Sequence, residues 1–230
     1  MWLMFTLATT LLWGLAELFY KKGSHEEEKF DHLRVCIMVG AVMGIHAIYT
    51  LMTSDITYDP MNLIMYLPVS LCYIISMACS FFGIRFIEES LSDPIENTSG
   101  AMCTVLCALL LGDEIAPMVW VAIAIIVIGI LGVSHAEQDA GRERKQRLGK
   151  KLAMIAFAMP FCYALIDAIG CVLDIYFLEM ETSPLLGITE ENIELVANIS
   201  YELTFAICGA LLLAYMMHKR VKFNLPQQKD

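Results

Sequence analysis

Apolar residues in this chain come in seven long runs, each ended by a short polar break. The runs cover residues 2–20, 33–53, 63–87, 91–112, 115–134, 151–178 and 193–217. A bilayer core needs about 20 apolar helical residues to cross it, and each run is of that order once flanking residues are counted. The pattern therefore predicts an all-α protein, a polytopic transmembrane helix bundle of seven spans. The breaks fall at 21–32, 54–62, 85–90, 113–114, 136–150 and 179–192, and a basic tail runs from 218 to 230.

The fourth run is unusual. Its apolar part, Ala101 to Gly112, would rise only about 18 Å as a helix, which is too short for a core of about 30 Å. It crosses only by drawing in the polar turns before it, Asp93, Glu96, Asn97, Thr98 and Ser99. Carboxylates are costly in lipid, so these residues are expected to face a cavity. The other reading is local: acids beside Pro94 at a helix start are favoured by the helix dipole.

Polar residues recur at helical spacing on most runs. Thr6, Thr9/Thr10, Trp13, Glu17 and Tyr20 share the first, and Tyr73, Ser76 and Ser80 follow Pro68 in the third. Asp93, Glu96/Asn97, Gly100, Thr104 and Cys107 share the fourth. Tyr163, Asp167, Gly170 and Asp174 follow Pro160 in the sixth, and Asn198, Tyr201/Glu202, Phe205 and Gly209 share the seventh. The second run carries Gly40-x-x-x-Gly44, a spacing that allows close helix contact, then His46, Tyr49 and Thr50. These seams are expected to meet around one central cavity.

Composition agrees with the pattern. The chain is 58% hydrophobic, against a usual 45–50% or so, with a mean hydropathy of +0.63. A net charge of −10 excludes a nucleic-acid partner. All eight cysteines lie inside apolar runs without a Cys-x-x-Cys pair, so they read as small packing residues. The sequons at Asn97 and Asn198 fall in membrane helices and carry no glycosylation meaning, and the first run lacks the basic start of a signal peptide. The 15 Lys and Arg residues divide four, one, six and four among the first, third and fifth breaks and the tail, counting adjoining helix ends. They all belong to one side. The positive-inside rule makes that side cytoplasmic and the N-terminus external, in a multi-pass protein of the cell membrane.

A polar-headed helix, a Leu111-Gly112-Asp113-Glu114 turn and a helix ending Gly129-Ile130-Leu131-Gly132-Val133 resemble the drug/metabolite transporter superfamily, EamA type. There they form the fourth and fifth helices of a five-helix repeat. Leu12-Trp13-Gly14 followed by Lys21 resembles that family's first helix. The resemblance implies a first repeat at 1–135, a basic cytoplasmic loop at 136–150, and the first two helices of a second, inverted repeat at 151–230. An odd number of spans per repeat inverts the second half. Laying residues 12–17 over 162–167 puts Trp13 on Tyr163 and Glu17 on Asp167. Two five-helix halves need ten spans, so the chain is expected to be a truncated form. Family members usually start inside, so the external N-terminus is a departure.

The resemblance implies a secondary transporter of a small metabolite or drug-like solute, working by alternating access. The chain has no nucleotide-binding motif and needs no cofactor. Its partners would be the lipid bilayer and a small solute, with a homodimer admitted. The candidate solute- or proton-binding residues are Glu17, Glu96, Asp167, Asp93, Glu202, Trp13, Tyr163, Asn97 and His46. Several acids facing one histidine favour a cationic or zwitterionic solute, or a proton as coupling ion. A first-helix carboxylate also resembles the small multidrug resistance branch. Counted back from Lys21, that branch's acid falls near Trp13 or Gly14, so its role does not pass to Glu17 by position. Glu17 could equally pair with Lys21 one turn on, and His46 with a helix neighbour. The alternative is a seven-helix membrane receptor, which the layout fits. Against it, the third run does not end in Asp-Arg-Tyr, and the seventh has neither Asn-Pro-x-x-Tyr nor a lysine for a retinal Schiff base. A rhomboid-like dyad of Ser99 and His46 lacks its glycine context.

Overall fold

The computed structural model describes residues 2–112, 114–136, 146 and 148–221, which contain no strand. In chain order the helices are α1 (Trp2–Lys22), α2 (Asp31–Thr53), α3 (Asn62–Met65), α4 (Leu67–Gly83), α5 (Glu89–Glu96), α6 (Ser99–Leu110), α7 (Pro117–Ala136), α8 (Lys150–Leu178) and α9 (Ile193–His218). Four of them, α1, α2, α8 and α9, are long and apolar enough to cross a membrane, while α4 and α7 are shorter apolar helices. Large apolar side chains point outward along α1 and α7, including Phe5, Leu11, Trp120, Ile125 and Leu131. An apolar exterior on this scale suits lipid and not water. Asp113, most of the 136–150 loop and residues 222–230 lie outside the described residues.

Two of the seven runs are not single helices. The third breaks at Tyr66, and α4 restarts with Pro68 in its first turn, where a missing N–H costs nothing. It then ends at Gly83, four residues before the run does. The fourth run splits into α5 and α6. Pro94 sits inside α5, not at its start. Asn97 Nδ2 then donates to the Asp93 carbonyl at 2.8 Å, and Thr98 Oγ1 to the Ile95 carbonyl at 2.6 Å. Side chains that take backbone acceptors in this way compete with helix continuation. The polar head is thus a separate short helix hinged to the apolar one.

The tightest crossing joins α2 to α9. A β-carbon on Gly40 would lie 2.7 Å from the Phe205 carbonyl oxygen, and one on Gly44 2.7 Å from Ala206 Cβ. Ile37 meets Gly209, Gly40 meets Phe205, and His46 meets Glu202, so the two helices run antiparallel. Here the glycine spacing finds its partner, and the small-residue faces close on one another. Gly40→Ala must push backbone from backbone, which costs about 1–3 kcal/mol. We expect its thermal unfolding midpoint in detergent to fall, and that of Gly129→Ala, where a β-carbon meets open space, to hold.

α8 is the central helix. It packs antiparallel on α4, Gly170 against Cys72 and Tyr73 and Gly83 against Met159. It packs parallel to α6, where Cys103 and Cys107 cluster with Ala168 and Val172. Its first half meets α5 through Ala156, Leu91 and Ile95. α1 stands mostly clear and docks at one end. The Tyr20 ring packs edge-on against Phe81 with centroids 4.9 Å apart, and Lys21 Nζ donates to the carbonyls of Ile84 and, at 2.5 Å, Ile87. A lysine on carbonyls at the end of α4 complements the helix dipole.

The end of the bundle carrying Lys21 is tied by Arg85. Its guanidinium donates to the carbonyls of His25, Glu26, Glu28 and Lys29 at 2.6–3.2 Å and to His32 Nδ1 at 3.1 Å. It also lies over the Phe86 ring at 4.9 Å. Beside it, Asp31 accepts from Arg34 and lies 2.8 Å from His25 Nδ1. At the other end, Asn62 is fully buried, accepting from Leu186 N–H at 2.7 Å and donating to the Leu186 carbonyl at 3.0 Å. Tyr58 and Ser200 hydroxyls meet at 2.8 Å.

Candidate functional site

Where α1 stands off from α5, α6 and α8, it leaves a cavity of about 400 Å³. Its α1 wall is Thr9, Thr10, Trp13, Gly14 and Glu17. The facing wall is Asp93, Glu96, Asn97 and Ser99 from the broken fourth run, with Tyr163 from α8. Asp93, Glu96 and Asn97 share one helix face by their i, i+3, i+4 spacing, and the break at Asn97–Thr98 lets Ser99 at the head of α6 join the same wall.

Three carboxylates line this cavity, and its lining residues include no lysine, arginine or histidine. Glu96 is the most deeply set, 7% exposed, and accepts a hydrogen bond from Ser92 Oγ at 2.8 Å. Ser92 lies one helical turn before it and belongs to the site, a residue absent from the sequence-derived candidates whose i, i+4 spacing to Glu96 is the signal for it. Glu17 is half-buried and Asp93 partly so. Trp13 and Tyr163 add aromatic surfaces. Tyr163 lies close enough to Glu17, Glu96 and Asp167 to feel all three charges.

Asp167 is not in the cavity lining. It sits one turn beyond Tyr163 on the same face of α8, with the hydroxyls of Ser76 and Ser99 facing it. Glu17 fronts the space, and Asp167 stands behind its tyrosine wall.

His46 and Glu202 are elsewhere. His46 Nδ1 lies 2.7 Å from Glu202 Oε1, across the α2–α9 crossing and one turn from its glycines. The expectation that every seam meets around a single cavity is corrected here. The seams of α1, α5–α6 and α8 line the cavity, Ser76 of α4 and Tyr201 of α9 reach Asp167 behind it, and His46 and Glu202 pair with each other across the α2–α9 crossing. A second, larger cavity of about 580 Å³ lies between the 54–62 and 179–192 loops and carries Asp55, Asp59 and Glu191, with no basic residue in its lining. Among the described residues, no group of three His, Cys, Asp or Glu side chains is placed to hold a metal ion.

A helical bundle with an apolar exterior and a polar cavity at an interhelical break has the build of a membrane transporter. A model of the EamA-like transporter family matches residues 1–135, more than half the chain, and the chain belongs to that family. This sides with transport over the receptor alternative. No curated protein and no solved structure matches the chain.

Proposed function

We propose that the chain forms a proton-coupled secondary transporter for a small cationic or zwitterionic solute, which binds in the α1–α5–α8 cavity and is exposed to each side in turn. The carrying observation is the cavity lining, with three carboxylates, two aromatic faces and no basic side chain. A cation there gains from the carboxylates and from the faces of Trp13 and Tyr163. The separate acidic cavity at Asp55, Asp59 and Glu191 would raise the concentration of such a solute near that end of the bundle. Uptake of lysine, putrescine and glutamate into proteoliposomes, with and without a pH gradient, tests the reading. We expect the diamine or the basic amino acid to enter, glutamate to be excluded, and the rate to follow the gradient. Preference for glutamate would overturn it.

The same reading sets the seven runs across the bilayer in alternation. Antiparallel α2–α9 and α4–α8 contacts and parallel α6–α8 contacts support that order. Lys21, Arg34 and Arg85 gather at one end, which supports a cytoplasmic assignment for it. In a variant without native cysteines, a cysteine at Gln138 should resist an impermeant maleimide in intact cells and react after permeabilisation. Labelling in intact cells would reverse the orientation.

A further inference from the structure

Asp174 lies outside the cavity, yet a continuous run of hydrogen bonds joins it to Asp167. It stands two turns further along α8, roughly 10 Å away, near the Glu179 end of the helix. Tyr66 donates its hydroxyl to Asp174 Oδ1. The Tyr73 hydroxyl lies 3.2 Å from Asp174 Oδ2 and 3.6 Å from Cys171 Sγ. The Cys171 thiol in turn points at Asp167 Oδ2 at 4.0 Å. Beyond Asp167, one turn back, is Tyr163 in the cavity wall.

We propose that this run is a proton path, and that Asp174 is its outer terminal, exchanging protons with the medium and passing them to Asp167. The proposal rests on the proton-coupled reading above and names the group that loads the carrier. Tyr73 is the switch, because its single hydroxyl hydrogen can point to Asp174 or to Cys171 but not to both. With it turned to Cys171, three hops carry a charge inward. Protonated Asp174 gives its proton to the Tyr73 oxygen, Tyr73 gives its own to the Cys171 sulfur, and Cys171 gives its thiol proton to Asp167. Each hop breaks one O–H or S–H bond and forms another. Tyr73 and Cys171 end with the protons they began with, Asp174 ends ionised and Asp167 neutral.

The surroundings suit exchange more than a fixed ion pair. The groups bearing on Asp174 are Tyr66, Tyr73, Cys171 and, from the start of α9, Glu194. Those bearing on Asp167 are Ser76 and Cys72 of α4, Ser99 of α6, Tyr201 of α9, and Glu96 across Tyr163. None of these is a cation. With hydroxyl and thiol neighbours and no cation among them to fix the charge, both acids can take up and release a proton.

The test follows the carboxyl stretch of protonated Asp167 by infrared difference spectroscopy after a pH jump on the Asp174 side. It uses the full chain reconstituted in one orientation, with the band assigned by its loss in Asp167→Asn. We expect the band to respond about 100-fold more slowly in Asp174→Asn and in Tyr73→Phe, in line with loss of a positioned proton-transfer group, and to reach the wild-type amplitude. Tyr66→Phe removes a bond to Asp174 without cutting the path and should leave the rate unchanged, which a purely structural role for Asp174 would not predict. Tyr73→Phe keeps the ring volume, so the test survives misfolding of Asp174→Asn. Wild-type rates in both variants would overturn the path and leave proton coupling standing. An Asp167 band that does not titrate would overturn both.

Discussion

Glu96→Gln is expected to lower initial solute uptake by about 100-fold while leaving the unfolding midpoint close to that of the parent. The size follows from position. Glu96 is the most buried of the three cavity acids and fronts the space where α1 stands clear. Truncating one side of a buried charge interaction costs about 2–5 kcal/mol, and 1.4 kcal/mol is about a factor of ten in affinity. Gln keeps the volume and can still accept from Ser92 Oγ, so the α5–α8 packing of Leu91, Ile95 and Ala156 is untouched. Removing a buried carboxylate also removes its desolvation cost, so stability should hold or rise slightly. Glu17→Gln should lose less, because Glu17 is half-buried and water screens it more. Initial uptake rates in proteoliposomes, beside melting curves, check both. A Glu96→Gln protein that transports at the parental rate would reduce this residue to a polar packing contact.

The runs of apolar residues located nearly every helix, because length and hydrophobicity are summed over some twenty positions and survive local exceptions. The breaks were less legible for a specific reason. Pro68 and Pro94 announce trouble in any helix, but where the chain gives way depends on which carbonyls Asn97 and Thr98 capture. The apolar pattern alone therefore runs through the fourth stretch as one span. The Gly40–Gly44 spacing predicts a close neighbour but not that the neighbour is α9, since a glycine stripe specifies closeness and not a partner. His46 and Glu202, 156 positions apart, were both picked as polar residues at membrane depth. Only the antiparallel register of α2 and α9 shows that they pair with each other and leave the cavity to others. The cavity's own members were more readable. Asp93, Glu96, Asn97, Trp13, Glu17 and Tyr163 each lay on a polar stripe of an apolar helix, and the structure brings those six stripe positions together. Asp174 was on its stripe too, but its tie to Tyr73 and Tyr66 depends on how α4 slides along α8.

Arg85 was the least legible residue of all, a single positive charge in a short corner, and its removal is expected to have the largest effect on stability. An arginine has five N–H donors in a rigid fork. Here they meet four backbone carbonyls of residues 25–29 and the Nδ1 lone pair of His32. Carbonyl acceptors leave no trace in a sequence, which is why counting side chains could not find this knot. Burial pulls the guanidinium below its ordinary pKa, and the charges of Asp31, Glu26 and Glu28 act the other way, so the group stays protonated as arginines do. The knot holds the α1–α2 loop over the end of α4, beside the carbonyls that anchor Lys21, and so fixes the docked end of α1. Arg85→Ala should cost about 3–5 kcal/mol, the range for removing one partner of a buried charged network. Arg85→Lys should recover little, since an ammonium has three donors on a flexible stem and cannot serve five acceptors spread over a loop. Lys21→Met, which removes only the α1 anchor, should cost less and leave the 25–29 loop in place. Thermal unfolding midpoints of the three variants, with limited proteolysis of the 23–30 loop, separate these outcomes. If Arg85→Lys melts with the parent and its loop resists protease equally well, the fork geometry is not what holds this end of the bundle together.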